Sequence, residues 1–121
     1  TPFSVATTST HDTEPMKSWW ETTNKDEKIF FLKMLGVNSN KIPKNYKEIK
    51  DLVNIKLINS SSKLVVMTIQ DIVGSSERIN HPGTTGNHNW SWRIKTNWQK
   101  FLEKHKKDFE SIKNEIKKRN S

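Results

Sequence analysis

His11 and Asp12 stand side by side in Thr10-His11-Asp12-Thr13 and are the residues best equipped for chemistry. A carboxylate in such a place can be a nucleophile, a base or an electrostatic stabiliser, and an adjacent imidazole can donate a hydrogen bond to a substrate hydroxyl. The flanking sequence bears on which. Residues 3–8 are apolar and β-branched enough for a short buried strand. Beyond the pair, Thr13 is a candidate N-cap and Pro15 a candidate first-turn residue of a helix that carries Trp19 and Trp20. Catalytic groups of α/β barrels sit just past the C-terminal ends of strands. The plainer alternative is that Asp12 only caps the helix, and spacing alone does not choose between the two.

A second set of polar and aromatic groups lies in the loop over residues 75–94, with Arg78, His81, His88, Trp90 and Trp92. A loop of that length is expected to be functional or a small subdomain. Trp90 and Trp92 flank Ser91 and would face one way in an extended segment. Such faces stack on sugars or bases, but the default for either ring is core packing. His11, Asp12, His81 and His88 show none of the helical spacings of metal ligands, so no metal or other cofactor is expected. Pro82-Gly83-Thr84-Thr85-Gly86 lacks the Lys-Ser/Thr ending of a phosphate loop and reads as a turn. The absence of Cys removes thiolate zinc sites, a Cys nucleophile and a disulfide framework.

These residues need elements to hold them. Asn24 or Asp26 can cap a helix through Ile29, Phe30, Leu32, Met34 and Leu35, ended by Gly36. Pro43 or Asn45 can restart a second, with Tyr46, Ile49, Leu52, Val53 and Leu57 on one face. Residues 63–71 are nearly continuously apolar, as a buried parallel strand is, and end in polar Gln70-Asp71. Residues 95–121 read as one helix with a stripe of Trp98, Phe101, Leu102, His105, Phe109, Ile112 and Ile116, expected to pack on a core. Strand, helices, strand, loop, helix is the order of a parallel α/β protein. Two strands alone make a poor sheet, so the chain reads as a piece of a larger α/β domain.

The chain has 121 residues, 31% hydrophobic, with a mean hydropathy of −0.85. It holds no apolar run long enough to span a membrane, and no signal peptide opens it, so neither a membrane nor a secreted location is expected. Net charge is +8, but among 21 cations only Arg78, Arg93 and Arg119 are arginine. Arginine is the residue that forks onto phosphate and guanine, so the lysines read as solvated faces and nucleic acid is not the expected partner. A small basic nucleic-acid module, or a glucan-binding module without catalysis, remains the alternative.

Four motifs, in order, resemble the 4-alpha-glucanotransferases (amylomaltases, or disproportionating enzymes) of the α-amylase clan. Thr10-His11-Asp12 followed by Ser18-Trp19-Trp20 is similar to that family's T-H-D and G-W-W. Ile69-Gln70-Asp71-Ile72-Val73-Gly74 resembles its P-L-Q-D-x-x-G. Glu77-Arg78-Ile79-Asn80-His81-Pro82-Gly83-Thr84 resembles its A-R-M-N-x-P-G-T, and Asn89-Trp90-Ser91-Trp92-Arg93 its N-W-x-W-R. Lys33-Met34-Leu35-Gly36-Val37 is similar to a further family segment. The resemblance implies that residues 1–121 are the C-terminal part of a (β/α)8 barrel: the last two βα units and the C-terminal helix. It implies a cytoplasmic transferase that passes α-1,4-glucan segments between maltooligosaccharides with retention. In that family an Asp nucleophile, a Glu acid/base and a second Asp share the work. Asp12 would be the second Asp, the transition-state stabiliser. His11 and Asn80 would bind the sugar, and Trp90, Trp92 and Arg93 would brace the barrel. The nucleophile and acid/base would come from the missing N-terminal part of the barrel, so this chain alone is expected to be inactive and to fold poorly.

Overall fold

Two short apolar segments meet in parallel. β1 (Val5–Ala6) pairs with β2 (Leu64–Val65), Val5 opposite Leu64 and Ala6 opposite Val65. The ladder continues through the Val66 amide, which donates to the Ala6 carbonyl at 2.9 Å. The computed structural model describes residues 4–37 and 42–120. Phe3, at the start of the expected first strand, lies outside them.

Parallel strands need a long crossover. Here it consists of α1 (Met16–Thr22), α2 (Lys25–Met34), a single 3-10 turn at Tyr46–Glu48 and α3 (Lys50–Ile58). Asn24 caps α2, its side chain accepting from the Glu27 amide at 2.9 Å, and Gly36 follows the helix in the left-handed region at φ 81°. Both were legible. The second crossover helix starts later than expected, because residues 46–48 form the 3-10 turn and α3 begins only at Lys50.

The expected strand over residues 63–71 is shorter than the sequence suggests. Only Leu64–Val65 pairs, and Ile69–Val73 is a helix, α4. Local signals explain the switch. The Thr68 side chain accepts from the Asp71 amide at 3.2 Å, an N-cap, and Gly74 closes the helix at φ 76°. The expected single C-terminal helix is likewise two, α5 (Trp98–Lys104) and α6 (Lys106–Arg119), parted at His105, whose φ of −106° and ψ of 21° are not helical.

The core lies in the crossover, not on the sheet. Trp20, Leu32, Tyr46, Ile49 and Val53 are buried together, with Met16, Trp19, Phe31, Leu35, Val37 and Ile42 packed around them. By contrast Val5, Leu64 and Val66 are 58%, 60% and 53% exposed. Burial of Tyr46, with the carboxylates of Asp71 and Asp51 adding to it, pushes its hydroxyl pKa well above the ordinary 10.0. The C-terminal stripe is not core as expected. Trp98, Leu102 and Ile116 are exposed, and no residue of α5 or α6 is fully buried. Phe101, Phe109 and Ile112 of the stripe are half-buried, and beside them polar groups tie α6 to α3 and the turn after it. Asp108 pairs with Lys50 of α3, Arg119 donates to the carbonyls of Ile58 and Ser62, and Asn59 donates to Glu115 at 2.7 Å. Among the described residues, no helix is long and apolar enough to cross a membrane.

Candidate functional site

The segment between β1 and α1 folds into a tight turn. The Thr13 amide donates to the Thr10 carbonyl at 3.2 Å, and the Thr13 hydroxyl accepts from the Thr10 amide at 2.8 Å. Thr13 therefore closes a turn and does not cap α1. The N-cap position is held by Pro15, which has no side chain able to accept. Asp12 is not the cap either. The first amide of α1, Met16, donates at 2.9 Å to the carboxylate of Asp71. That carboxylate also accepts from the hydroxyls of Thr8, at 2.8 Å, and Ser9.

Freed from capping, Asp12 turns toward the loop of residues 75–94. Its Oδ1 accepts from Asn80 Nδ2 at 2.8 Å, and its Oδ2 lies 3.0 Å from His11 Nε2. The structure thus brings His11, Asp12 and Asn80 together, although Asn80 is 68 positions away from Asp12. Arg78 fixes the junction. One of its guanidinium nitrogens donates to the Asp12 carbonyl at 3.1 Å and another to the Asn80 carbonyl at 3.2 Å. Because Arg78 bonds backbone oxygens and not the carboxylate, the Asp12 charge is steered without being forked by a cation. The His11 and Asp12 side chains are 49% and 54% exposed, so the pair faces open space.

The loop itself is built on small turns. Thr84 donates to the His81 carbonyl at 2.6 Å, with Gly83 at φ 78°, so the Pro82-Gly83 segment is a turn as read. Asn89 braces it, accepting from the His81 amide at 2.8 Å and donating to the Thr84 carbonyl at 3.1 Å. Trp90 is the one non-glycine among the described residues with positive φ, at 60°. This turns the chain out of the extended form that would have aligned it with Trp92. The two rings part company: Trp92 is half-buried, whereas Trp90 is 59% exposed and tilts against His11 with ring centroids 4.8 Å apart. Within the described residues Trp90 therefore lies outside the core and walls the His11-Asp12 pair. His81 and His88 pack edge to face at 5.0 Å, and among the described residues no group of three or more His, Asp or Glu side chains is placed to hold a metal ion.

Chemically, the site offers one oriented carboxylate, an imidazole and an amide beside it, and an indole face. Such a set can hold polyhydroxylated ligands and can stabilise positive charge developing near the carboxylate. Sequence reasoning left Arg78 and Trp90 without these roles and did not single out Asp71. Only the burial and the long-range pairing show what they do.

The 4-alpha-glucanotransferase family model matches residues 1–100. The 4-alpha-glucanotransferase of Chlamydia trachomatis is 32% identical over 106 residues, covering 78% of this chain and 19% of that one. That of Aquifex aeolicus is 32% identical over 102 residues, covering 80% and 20%. The chloroplastic/amyloplastic enzyme of Solanum tuberosum is 32% identical over 93 residues, covering 74% and 15%. Among solved structures, the amylomaltase from Streptococcus agalactiae, in complex with acarbose, matches with a TM-score of 0.72 and 25% identity, over 93% of this chain and 21% of that one. The chain spans about a fifth or less of the length of these relatives.

Proposed function

This chain belongs to the 4-alpha-glucanotransferase family, and from that premise we propose that it is the C-terminal segment of such an enzyme's (β/α)8 barrel, comprising the last two βα units and the C-terminal helix. The substrate is a maltooligosaccharide or α-1,4-glucan, and the location is the cytoplasm. The observation that carries the reading is the Asp12 carboxylate, held by His11 at 3.0 Å and by Asn80 at 2.8 Å while half open to solvent. The amylomaltase neighbour with acarbose bound supports a glucan as the ligand class.

In the reaction, a nucleophile and an acid/base from the N-terminal part of the barrel cleave the glycosidic bond with retention. Both steps, formation and breakdown of the glycosyl-enzyme, pass through an oxocarbenium-like transition state carrying positive charge on the ring. Asp12 is the fixed anion beside that ring. It accepts hydrogen bonds from sugar hydroxyls, and these strengthen as the charge develops. His11 and Asn80 each keep Asp12 from turning away and present polar edges to the same sugar. The exposed indole of Trp90 offers an apolar face for a ring or its neighbour.

The test is the Asp12→Asn variant of the complete protein that carries this segment, assayed on maltotriose. Wild type is expected to give a ladder of longer and shorter glucans. The variant is expected to lose about 100- to 1000-fold in kcat, the scale of removing one preorganised transition-state group. A variant that still builds the ladder at the wild-type rate would overturn the assignment.

A further inference from the structure

We propose that Asp71 is a positioning residue: it sets where Asp12 stands by clamping both ends of the turn that carries it. The inference rests on the reading of Asp12 given above. Asp71 is 1% exposed, and its known donors are two hydroxyls and one backbone amide, none of them cationic. A buried carboxylate held only by neutral donors is costly to desolvate, and every bond it accepts matters. Those bonds go to a narrow place in the sequence. Oδ2 takes Thr8 and Ser9, just before the turn, and Oδ1 takes the Met16 amide, just after it. One side chain therefore pins the two ends of residues 10–15 to each other, and His11 and Asp12 lie between the pins.

Asp71 is itself immobilised. Its amide donates to Thr68 at 3.2 Å, and its carbonyl accepts from buried Asn54 of α3 at 3.3 Å. Ser9 adds a second tie, its hydroxyl lying 3.4 Å from that of Thr68. The clamp thus transmits the position of α3 and α4 to the turn. Within the turn the Thr10–Thr13 bonds shape it without anchoring it, and the ties of Asp12 to Arg78 and Asn80 hold its tip to the loop, so Asp71 is what fixes its two ends. A displacement of about 1 Å at a group that acts on the transition state can cost about 100-fold in rate, so the clamp has catalytic consequences without touching the sugar.

The experiment uses the complete protein with Asp71→Asn, Ser9→Ala, Asp12→Asn and the Asp71→Asn/Asp12→Asn pair. Asp71→Asn keeps size but replaces an accepting oxygen with a donor; it is expected to lower kcat on maltotriose about 10- to 100-fold with KM within about threefold. Ser9→Ala is expected to give a smaller loss of the same kind, and it serves alone if Asp71→Asn does not fold. In the Asp12→Asn background, Asp71→Asn is expected to cost nothing further, because it acts through Asp12. A loss of stability that merely reduced the active fraction would multiply the residual rate equally in both backgrounds, and that result overturns the proposal. So does a wild-type kcat in Asp71→Asn and Ser9→Ala. Amide hydrogen exchange separates this from the parent reading. Faster exchange confined to residues 8–16 in the variants is expected whatever the rates, and unchanged exchange there overturns the clamp. An Asp12→Asn enzyme with full activity overturns the role of Asp12 alone.

Discussion

Asn80 touches Asp12 with a neutral amide, and that neutrality has consequences. Asn80→Ala removes a 2.8 Å hydrogen bond but leaves the carboxylate its charge. The expected cost is about 10-fold in kcat, well short of the loss in Asp12→Asn. Asn80→Asp sets a second carboxylate at that distance, and like charges so close do not both stay ionised. It should be the worse of the two, and a comparison of maltotriose kinetics for both variants checks the order. Tyr46 supplies a pH dependence. Its hydroxyl is buried without a partner among the described residues and its pKa is raised, chiefly by burial. A raised folded-state pKa means that the unfolded chain releases its proton first. The stabilising contribution is intact below pH 10 and is lost as pH climbs above it, with a slope of about 1.4 kcal/mol per pH unit at most. Tyr46→Phe loses no hydrogen bond, so it should leave stability at neutral pH nearly unchanged and flatten the alkaline limb of a denaturant-midpoint series. At this scale His11 and Asp12 were legible from their types and their place after a strand, and Asn80 only through the resemblance to a family motif. The sequence did not reveal Asp71, because a carboxylate after an apolar run looks the same whether it ends a strand in water or is buried among hydroxyls.

The elements were legible where a local signal acted alone. Asn24 and Gly36 bound α2 because cap and stop chemistry is local. The apolar run 63–71 misled because two codes overlap in it. Its β-branched residues favour a strand, while Thr68 and Gly74 bracket a helix, and the bracket prevailed beyond Val65. Gly74 is also where α4 meets α3, since a Cβ there would stand 3.1 Å from Lys50 Cδ. Gly74→Ala combines that contact with a left-handed φ of 76°, so a loss of about 1–2 kcal/mol is expected in a chemical denaturation. The seam between α3 and α6 rests on a charge pair with Lys50 and Asp108 only 6% and 18% exposed. Asp108→Ala strands a buried ammonium and is expected to cost about 3 kcal/mol, whereas Lys50→Met, which leaves Asp108 its contact with His105 at 3.1 Å, should cost less. Equal losses in the two variants would mean that packing, not charge, holds the seam.

At the scale of the molecule, charge and exposed apolar surface point to different partners. The +8 net charge is carried mostly by lysine, and exposed apolar side chains lie on the sheet at Val5, Leu64 and Val66, on α2 at Phe30 and Met34, and on the C-terminal helices at Trp98, Leu102 and Ile116. A two-stranded sheet whose side chains are exposed has edges and faces ready to pair with more chain. The helices of the crossover bury their own core, so they do not depend on that pairing in the same degree. The 121-residue chain by itself is therefore expected to be helical by circular dichroism yet to associate with rising concentration, and to release no glucose from maltotriose. The last point follows from the role proposed for Asp12: a carboxylate that stabilises charge leaves attack and proton transfer to two further groups. Sedimentation over a tenfold concentration range and a maltotriose assay on the same sample check both statements. A stable monomer would show that the sheet needs no further strands. Glucose release above that of an Asp12→Asn control would show that this segment holds a full set of catalytic groups, and Asp12 would then have to be reassigned from stabiliser to a reacting role.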